Sequence, residues 1–348
     1  MPTKKERNGR KRITIKDIAE RCGVTANTVS RVLRGDEGIS EATAGKIREA
    51  AAQMGYVRNN FASTMRSGKS RLISVIVDDI QNPHYATLVN RIDSILKEKG
   101  YDVMTLCTQG DREKSFNMAN LSISNLVDGT LYFPDSDEAY IAELFRKNNV
   151  PVIMIDRVIP GVQADVVRAD DYQGGEVAAE YLLSAGHKKF AYIGGPGGNG
   201  AQPLRQKGFT DTLLRHGIQE RDIRVIDGGS IYPVLNSLKL FEVLQPLDYT
   251  GVFVFNDQIA YHVMNVLRSN GYNIPQDISI IGFDHIRGSL SYLLPLTSLA
   301  CDQKTDLAEH AVSLLLRRIE EPAIPFISEV LPVKLYEPES TVKRAKDN

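Results

Sequence analysis

The feature that most restricts how this chain can fold is a series of eight short apolar runs, each followed by a loop or an amphipathic stretch. The runs are LISVIVD (72–78), YDVMTLC (101–107), GTLYF (129–133), VPVIMID (150–156), FAYIGG (190–195), RVIDGG (224–229), GVFVFN (251–256) and ISIIGFD (278–284). Apolar strands that alternate with helices are typical of parallel sheets covered by helices on both faces. Two successive series of four runs predict an α/β body of two doubly wound lobes with a cleft between them.

The candidates for a binding site are residues that follow the apolar runs or open the helices after them, because ligands bind such sheets beyond the carboxyl ends of the strands. They are Asp78, Asp79, Asn82, Pro83, His84, Tyr85, Asp156, Arg157, Asp170, Asp171, Arg205, Asn256, Asp257 and Asp284. Carboxylates, amides and arginines hydrogen-bond the hydroxyl groups of a polyol, and a tyrosine ring stacks on a sugar ring. Each residue alone could equally be a loop residue or a helix cap. Their recurrence at several strand ends favours a polyol site.

The first 69 residues are basic, whereas the remainder of the chain is acidic. Residues 1–69 hold 15 Lys and Arg against 7 Asp and Glu, and the rest holds 27 against 36, which gives net charges of +8 and −9. A basic head on an acidic body predicts that the head alone faces a polyanion. Residues 4–12 fit a solvated basic tail equally well, but the sequence after them is patterned.

From Ile13 the sequence ITIKDIAERCGVTANTVSRVLRG has helical periodicity on both sides of Gly23. Thr14 with Asp17 predicts a capping box for the first helix, and Thr25 is a cap for the second. A third helix is expected from Ser40 to Met54. Two short helices joined by a tight turn predict a helix-turn-helix, so the head should be all-α. The second helix leaves small, polar and basic residues exposed, as a major-groove surface requires: Ala26, Asn27, Thr28, Ser30 and Arg31.

This head resembles the DNA-binding domain of the lac-repressor family of bacterial regulators, in which TVSRVL is a hallmark of the recognition helix. The resemblance implies that Ala26, Asn27 and Arg31 face base edges, with Asn27 suited to adenine and Arg31 to guanine. Thr28 and Ser30 are suited to phosphate oxygens. The predicted DNA-binding residues in the head and in the segment after it are Thr14, Thr25, Ala26, Asn27, Thr28, Ser30, Arg31, Asn59, Ala62 and Met65.

Asn59, Ala62 and Met65 belong to a hinge helix that the same resemblance implies. It aligns with residues 59–66, where Ala62 would pack against a second hinge and Met65 would enter the minor groove. Met65 stands where the family usually has leucine, and Arg58 where proline is common. These departures leave the bending of the operator open.

The body is similar to the effector domain of the same family, which has two lobes of the periplasmic-binding-protein type. The matching pieces are NPHY, DGTLYF, VPVIMIDR, R-x-x-GF at 205–209, ND at 256–257, the GFD run at 275–284 and PLTSLACDQ at 295–303. The resemblance implies effector contacts at Tyr85, Arg157, Arg205, Asn256 and Asp284. Asp156 and Asp171 join the predicted effector site as strand-end residues.

These patterns predict four segments. They are a helix-turn-helix domain (1–57), a hinge helix and linker (58–70), a two-lobed effector-binding and dimerisation domain (71–340) and a tail (341–348). The chain is expected to cross between the lobes near 157–170, 285–298 and 325–332. The lobes would then comprise roughly 71–160 with 296–326 and 161–295 with 327–340. The tail has no leucine heptads, so no tetramerising coiled coil is predicted.

The function predicted is that of a transcriptional regulator, most simply a repressor, whose affinity for pseudo-palindromic double-stranded operator DNA depends on a small molecule bound between the lobes. One head offers a small footprint, so a homodimer is expected. A sugar or sugar derivative is the expected effector, while a purine or a protein co-effector stays open. So do the sign of the response, the operator and the target genes. No enzyme activity, cofactor, metal or membrane partner is predicted. A polar, basic N-terminus without an apolar run predicts a cytoplasmic, nucleoid-associated protein.

Three other functions compete with this interpretation: dinucleotide binding, enzyme catalysis and transport. Residues 195–200 satisfy GxGxxG, which would indicate a dinucleotide, although Pro203 is expected to open the helix that follows. An enzyme on an α/β fold would need an acid–base pair or a phosphate cradle, and a transport protein would need a secretion signal. Cys22, Cys107 and Cys301 lie far apart, without metal-ligand spacing, and are expected to be reduced thiols.

Overall fold

A computed structural model of the chain describes residues 13–36, 38–57, 68–134, 138–195, 200–231, 239–286, 295–302, 306–336 and 340–343. The chain divides into two compact units, a head and a body, between Ser70 and Arg71. The predicted hinge residues Arg58, Asn59, Ala62 and Met65 lie outside the described ranges, as do 196–199, 303–304 and the end of the tail from 344. Within these ranges no helix is long and apolar enough to cross a membrane.

The head contains three helices: α1 (Ile15–Cys22), α2 (Ala26–Arg34) and α3 (Glu41–Gln53). Thr14 forms the predicted capping box with Asp17, and Thr25 caps α2 by accepting from the Thr28 amide. Gly23 ends α1 with a left-handed φ of 69°, a conformation that glycine adopts without strain. The three helices bury one apolar cluster with Ile18, Val29 and Ile47 at its centre. The predicted helix-turn-helix is therefore confirmed.

The body alternates strands and helices. In chain order they are β1 (Leu72–Val77), α4 (Pro83–Glu98), β2 (Asp102–Cys107), α5 (Arg112–Ser124), β3 (Gly129–Tyr132), α6 (Ala139–Lys147), β4 (Val152–Ile155), β5 (Asp165–Ala169), α7 (Asp171–Ser184), β6 (Phe190–Ile193), α8 (Ala201–Arg215), β7 (Ile223–Ile226), α9 (Gly228–Ile231), α10 (Lys239–Leu244), β8 (Gly251–Val254), α11 (Asp257–Ser269), β9 (Ser279–Phe283), β10 (Thr297–Cys301), α12 (Leu307–Glu320), β11 (Ser328–Leu331) and β12 (Val333–Tyr336).

The strands form two six-stranded sheets of the same order. The first runs β2-β1-β3-β4-β5-β11 and is parallel throughout. The second runs β7-β6-β8-β9-β10-β12, with only β12 antiparallel. We call the parts built on these sheets lobe 1 (71–169 and 306–331) and lobe 2 (170–302 and 333–343). The predicted pair of doubly wound lobes is confirmed, and all eight apolar runs contain a strand.

Three strands fall outside the predicted lobe boundaries. β5 pairs with β4 and places 165–169 in lobe 1, whereas the sequence placed residues from 161 onward in lobe 2. β10 pairs with β9, so 297–301 belong to lobe 2 instead of lobe 1, and β11 returns 328–331 to lobe 1. The chain therefore changes lobe after Ala169, after Cys301 and between Leu331 and Val333. Local apolarity cannot give these boundaries, because the choice between two sheets depends on pairing with distant strands.

Two glycines bring α7 and α8 into backbone contact. A Cβ atom at Gly175 would lie 2.2 Å from the Arg205 carbonyl oxygen, and one at Gly208 would lie 2.0 Å from the Tyr172 carbonyl oxygen. Only glycine permits this approach. This contact places Asp171, the first residue of α7, beside Arg205 on α8.

Candidate functional site

The carboxyl ends of strands from both lobes surround a cavity of about 90 Å³ in the body. Its walls include the ends of β1 and β3 in lobe 1 and of β8 and β9 in lobe 2. The lining residues are Asp78, Asp79, Asn82, His84, Tyr85, Phe133, Pro134, Ile155, Asp156, Arg157, Ala201, Arg205, Phe255, Asn256, Gln258 and Asp284. Doubly wound sheets bind ligands in this position, at the point where the strand order reverses.

Six of the seven residues predicted for the effector site line this cavity: Tyr85, Asp156, Arg157, Arg205, Asn256 and Asp284. Tyr85 packs edge-on against the ring of Phe133, with 5.5 Å between the ring centroids. The Asn256 side chain accepts from the Ile259 amide at 2.9 Å and so caps α11. Asp171 is buried behind the lining residues and does not border the cavity.

Arg205 is a buried cation with several partners. Its Nε donates to Asp171 at 2.8 Å and its Nη1 to the Phe255 carbonyl at 2.6 Å. The guanidinium carbon lies 3.5 Å from the centroid of the Phe283 ring, within cation–π distance. Burial lowers the pKa of Arg205, but Asp171 and Asp284 outweigh it and the net shift is upward. The side chain is therefore a fixed positive charge at the edge of the cavity.

Asp156 and Asp284 directly follow β4 and β9 and have positive φ angles, which are uncommon for residues other than glycine. Their φ angles are 64° and 100°, where a non-glycine residue costs about 1–3 kcal/mol. The Asp156 amide donates to the Val167 carbonyl and the Asp284 amide to the Leu299 carbonyl, so neighbouring strands hold both residues. Burial raises the pKa of Asp284, although His84 and Arg205 oppose this shift. Strained residues of this kind cluster at ligand sites.

His84 stands between these two carboxylates. Its Nε2 lies 3.4 Å from Asp156 Oδ2, and its Nδ1 lies 3.7 Å from Asp284 Oδ1. Burial lowers the pKa of His84, yet Asp284 and Asp156 together raise it to about 9. The sequence placed His84 among the strand-end residues but not in the effector site. Its position in NPHY, at the start of the helix after β1, was the only local signal.

A buried carboxyl group supports the turn that follows Asp284. Asp257 accepts from the Ser298 hydroxyl at 2.7 Å and from the Ile286 amide at 2.9 Å. Burial, with Asp284 as a further cause, raises the pKa of Asp257 well above its usual value. Asp257 therefore ties the end of β9 to β10 and helps to fix the direction of Asp284.

A second cavity of about 350 Å³ lies on the other side of the same charged side chains. It shares His84, Asp156, Arg205 and Asp284 with the first cavity. The remaining lining is Thr87, Leu88, Arg91, Ala169, Phe283, His285, Ile286, Ala300, Cys301, Asp302, Asp306 and Leu307. The four shared side chains therefore divide one cleft into a polar and a more apolar part.

The predicted DNA-contacting residues of the head lie on α2 and at helix starts. Asn27 is exposed, and Ala26, Thr28, Ser30 and Arg31 are partly exposed. The hydroxyls of Thr14 and Thr25 are engaged in capping their helices.

Arg34 is a further basic residue on α2 that the sequence analysis did not single out. It donates to Ser30 at 3.2 Å and forms a bidentate pair with Asp36 at 2.8 and 3.1 Å. Its spacing of three residues from Arg31 was the available signal, because residues at i and i+3 share a helix face.

The described ranges bear on two alternative chemistries, a metal site and a dinucleotide site. These ranges contain no group of three or more His, Cys, Asp or Glu side chains able to hold a metal ion. The middle of the GxGxxG loop, 196–199, lies outside the described ranges. The prediction that Pro203 opens the helix after this loop is wrong, because α8 begins at Ala201, directly after Gly200. The first glycine of the loop has a packing role, because a Cβ at Gly195 would lie 2.2 Å from the Phe255 ring.

Known protein families match both the head and the body. The family described as bacterial regulatory proteins, lacI family, matches residues 14–59, and a periplasmic binding protein-like domain matches residues 179–341. The HTH-type transcriptional repressor PurR of Actinobacillus pleuropneumoniae serotype 3 is 27% identical over 339 residues, 96% of this chain and 98% of that protein. The ribose operon repressor of Escherichia coli is 28% identical over 312 residues, 89% of this chain and 94% of that protein.

Among solved structures, a LacI family transcriptional regulator from Enterococcus faecalis with bound ribose is 30% identical. The match covers 79% of this chain and 100% of that one, with a TM-score of 0.66. The chain belongs to the lacI family of bacterial regulatory proteins. Another lacI-family structure, the lac repressor dimer bound to operator and an anti-inducer, matches 95% of this chain and 100% of that one at 26% identity, with a TM-score of 0.78.

Proposed function

We propose that this lacI-family protein is a transcriptional repressor whose affinity for operator DNA is set by a small molecule bound between its lobes. The observation that carries the proposal is the convergence of six predicted side chains from both lobes on one cavity, in a chain whose head is a helix-turn-helix. A ligand that contacts both lobes stabilises one arrangement of the lobes relative to others. DNA binding and ligand binding are then coupled by one reciprocal free energy.

The DNA-binding role belongs to residues 1–57 with a hinge at 58–70. Asn27 and Arg31 read base edges, and Thr28 and Ser30 contact phosphates. A homodimer presents two heads to a pseudo-palindromic operator, since one head covers too few base pairs for specific binding. Such a protein works where the chromosome is, so we place it in the cytoplasm. It has no catalytic role in this proposal.

The effector is a neutral sugar or sugar derivative. Tyr85 and Phe133 offer ring faces, while Asp156, Asn256 and Asp284 offer acceptors for hydroxyl groups. Carboxylates outnumber cations among the lining residues, which disfavours an anionic effector. The ribose operon repressor and the ribose-bound regulator from Enterococcus faecalis support a sugar by analogy.

The test begins with selection of binding sites by the purified full chain from random DNA duplexes. The selected duplex is then titrated with protein in a gel-shift assay, with D-ribose, other sugars or hypoxanthine added in turn. We expect a palindromic consensus and a change in affinity with one of the sugars. Asn27→Ala should lose the consensus, and Asn270→Ala, which lies in the body far from α2 in sequence, should keep it. A full chain that selects no sequence at low salt would refute the proposal.

A further inference from the structure

His84 connects two carboxylates that belong to different lobes. Asp156, 3.4 Å from Nε2, ends β4 of lobe 1, whereas Asp284, 3.7 Å from Nδ1, ends β9 of lobe 2. Each ring nitrogen therefore faces an acceptor, and only the doubly protonated imidazolium presents an N–H to both. The side chain is 19% exposed.

The charges around His84 favour this protonated form. The groups that face it are Asp156 from β4, Asp284 from β9, Arg205 from α8, Asp257 from α11 and the ring edge of Tyr85 from its own helix. Arg205 repels a cation here, and so does the start of α4, where the helix dipole is positive. The attraction of Asp156 and Asp284 for the cation outweighs this repulsion and the effect of burial. The pKa of His84 therefore rises to about 9.

The position of His84 in the cleft makes its contacts relevant to a ligand. The side chain lines both the cavity of about 90 Å³ and the cavity of about 350 Å³. Asp156 and Asp284, its partners, are also the acceptors that a polyol would use. A ligand hydroxyl that donates to Asp156 Oδ2 or to Asp284 Oδ1 therefore competes with the imidazolium for the same oxygen.

We propose that His84 is an internal cationic ligand of the effector site, which holds Asp156 and Asp284, and with them the two lobes, together until a neutral polyol replaces it. The replacement of His84 by a polyol rests on the proposed function. The contact that His84 makes between the lobes exists without effector. Hydroxyl groups can take over both carboxylates without adding charge. An anionic effector cannot, because it would displace a cation from between two carboxylates and add a further negative charge. His84 thus selects for neutral, hydroxyl-rich ligands.

The first test concerns the effector-free full chain. Its histidines are labelled with ¹⁵N and titrated by NMR, with His84→Gln used to assign the His84 signal. We expect a His84 pKa far above 6.5, and a decrease of about one unit or more in Asp284→Asn, where one carboxylate charge is lost. A His84 pKa near 6.5 that does not respond to Asp284→Asn would overturn the proposal.

The second test measures the separation of the lobes. Small-angle scattering of the effector-free full chain at pH 7 should give a larger radius of gyration for His84→Gln than for the natural sequence. His216→Gln is the matched control, because His216 pairs with Glu180 at 2.9 Å on the surface of lobe 2. Equal radii for His84→Gln and His216→Gln would show that His84 does not hold the lobes.

The third test uses D-ribose as the probe in calorimetry between pH 7 and pH 10. Deprotonation of His84 should strengthen binding by well over tenfold across this range, because its pKa of about 9 exceeds 6.5 by more than one unit and each unit corresponds to a tenfold change. His84→Gln should bind ribose tightly at every pH. Loss of binding in this variant alone would mean that His84 contacts the ligand, against our proposal. If neither the natural chain nor any variant binds ribose, the proposed sugar effector is wrong. The NMR and scattering results then decide the role of His84.

Discussion

Arg205 donates from Nε to Asp171 at 2.8 Å, and both side chains are almost entirely buried, with 8% and 3% of their surface exposed. Asp284 approaches the same guanidinium at 4.0 Å from the cavity side. Asp171 therefore acts behind the site: it holds Arg205, and Arg205 faces the cleft. Asp171, which the sequence predicted as an effector-site residue, therefore supports Arg205 and does not line the cavity.

Removal of Arg205 should destabilise the body strongly. Arg205→Met leaves Asp171 as a buried carboxylate without its cation, and a buried pair broken from one side typically costs about 3–5 kcal/mol. Urea unfolding followed by circular dichroism measures the loss. The double variant Arg205→Met with Asp171→Asn should recover part of it, because no buried charge is then left alone. Lys207→Met on the surface of α8 is the control and should cost little. Equal losses in the single and double variants would contradict this account.

The stability of the body should depend on pH through His84. The folded pKa of about 9 exceeds the unfolded value near 6.5, so His84 contributes stability that is fully present below pH 6.5 and is lost as the pH rises through 9. The difference corresponds to about 3 kcal/mol. Unfolding free energies of the natural chain and of His84→Gln should therefore differ at pH 6 and converge near pH 10. A difference that stays constant with pH would contradict the assignment.

The sequence was sufficient wherever a local pattern decides the structure. The apolar runs predicted eight strands, and the threonines at positions 14 and 25 predicted two helix starts. Strand-end reasoning also included the six predicted effector residues that line the cavity among its fourteen candidates, because parallel strands direct their carboxyl ends to one edge of a sheet. The family resemblance then implied five of these six as effector contacts.

The sequence failed where the outcome depends on distant partners. β5 contains Asp165 and Arg168 and does not read as a buried strand, yet Asp165 is buried by a bidentate pair with Arg318. The functional place of His84 was equally hidden, because a histidine becomes a bridge only when two strand ends from different lobes meet beside it. No local pattern contains that information.

The crossing of α7 and α8 should be sensitive to a single methyl group. Gly208→Ala places a Cβ 2.0 Å from the Tyr172 carbonyl, so the helices must separate, at a cost of about 1–3 kcal/mol. Their separation moves Arg205 relative to Asp171, and effector affinity should fall as well. Lys207→Ala, one residue earlier and exposed, is the matched control. Thermal unfolding and ligand calorimetry of both variants are the measurements, and unchanged stability in Gly208→Ala would contradict the close approach.

Two arginines on α2 should differ in how they affect DNA binding. Arg31→Ala should relax the preference at one position of the selected operator, at a cost of about 1–3 kcal/mol in discrimination. Arg34 is exposed and held by Asp36, a placement suited to a phosphate. Arg34→Ala should therefore weaken binding to all duplexes alike and reduce the salt dependence by about one ion.

Gel-shift titrations of operator and scrambled duplexes at several salt concentrations separate these two effects. Asp36→Asn is a further control, because it removes the ion-pair partner of Arg34 and keeps the positive charge of Arg34. The salt dependence of DNA binding should be retained in this variant. Arg48→Ala, on α3 and paired with Glu41, serves as a control for the loss of one basic residue from the head. If Arg34→Ala changed the sequence preference and Arg31→Ala left it intact, the two roles on α2 would have to be exchanged.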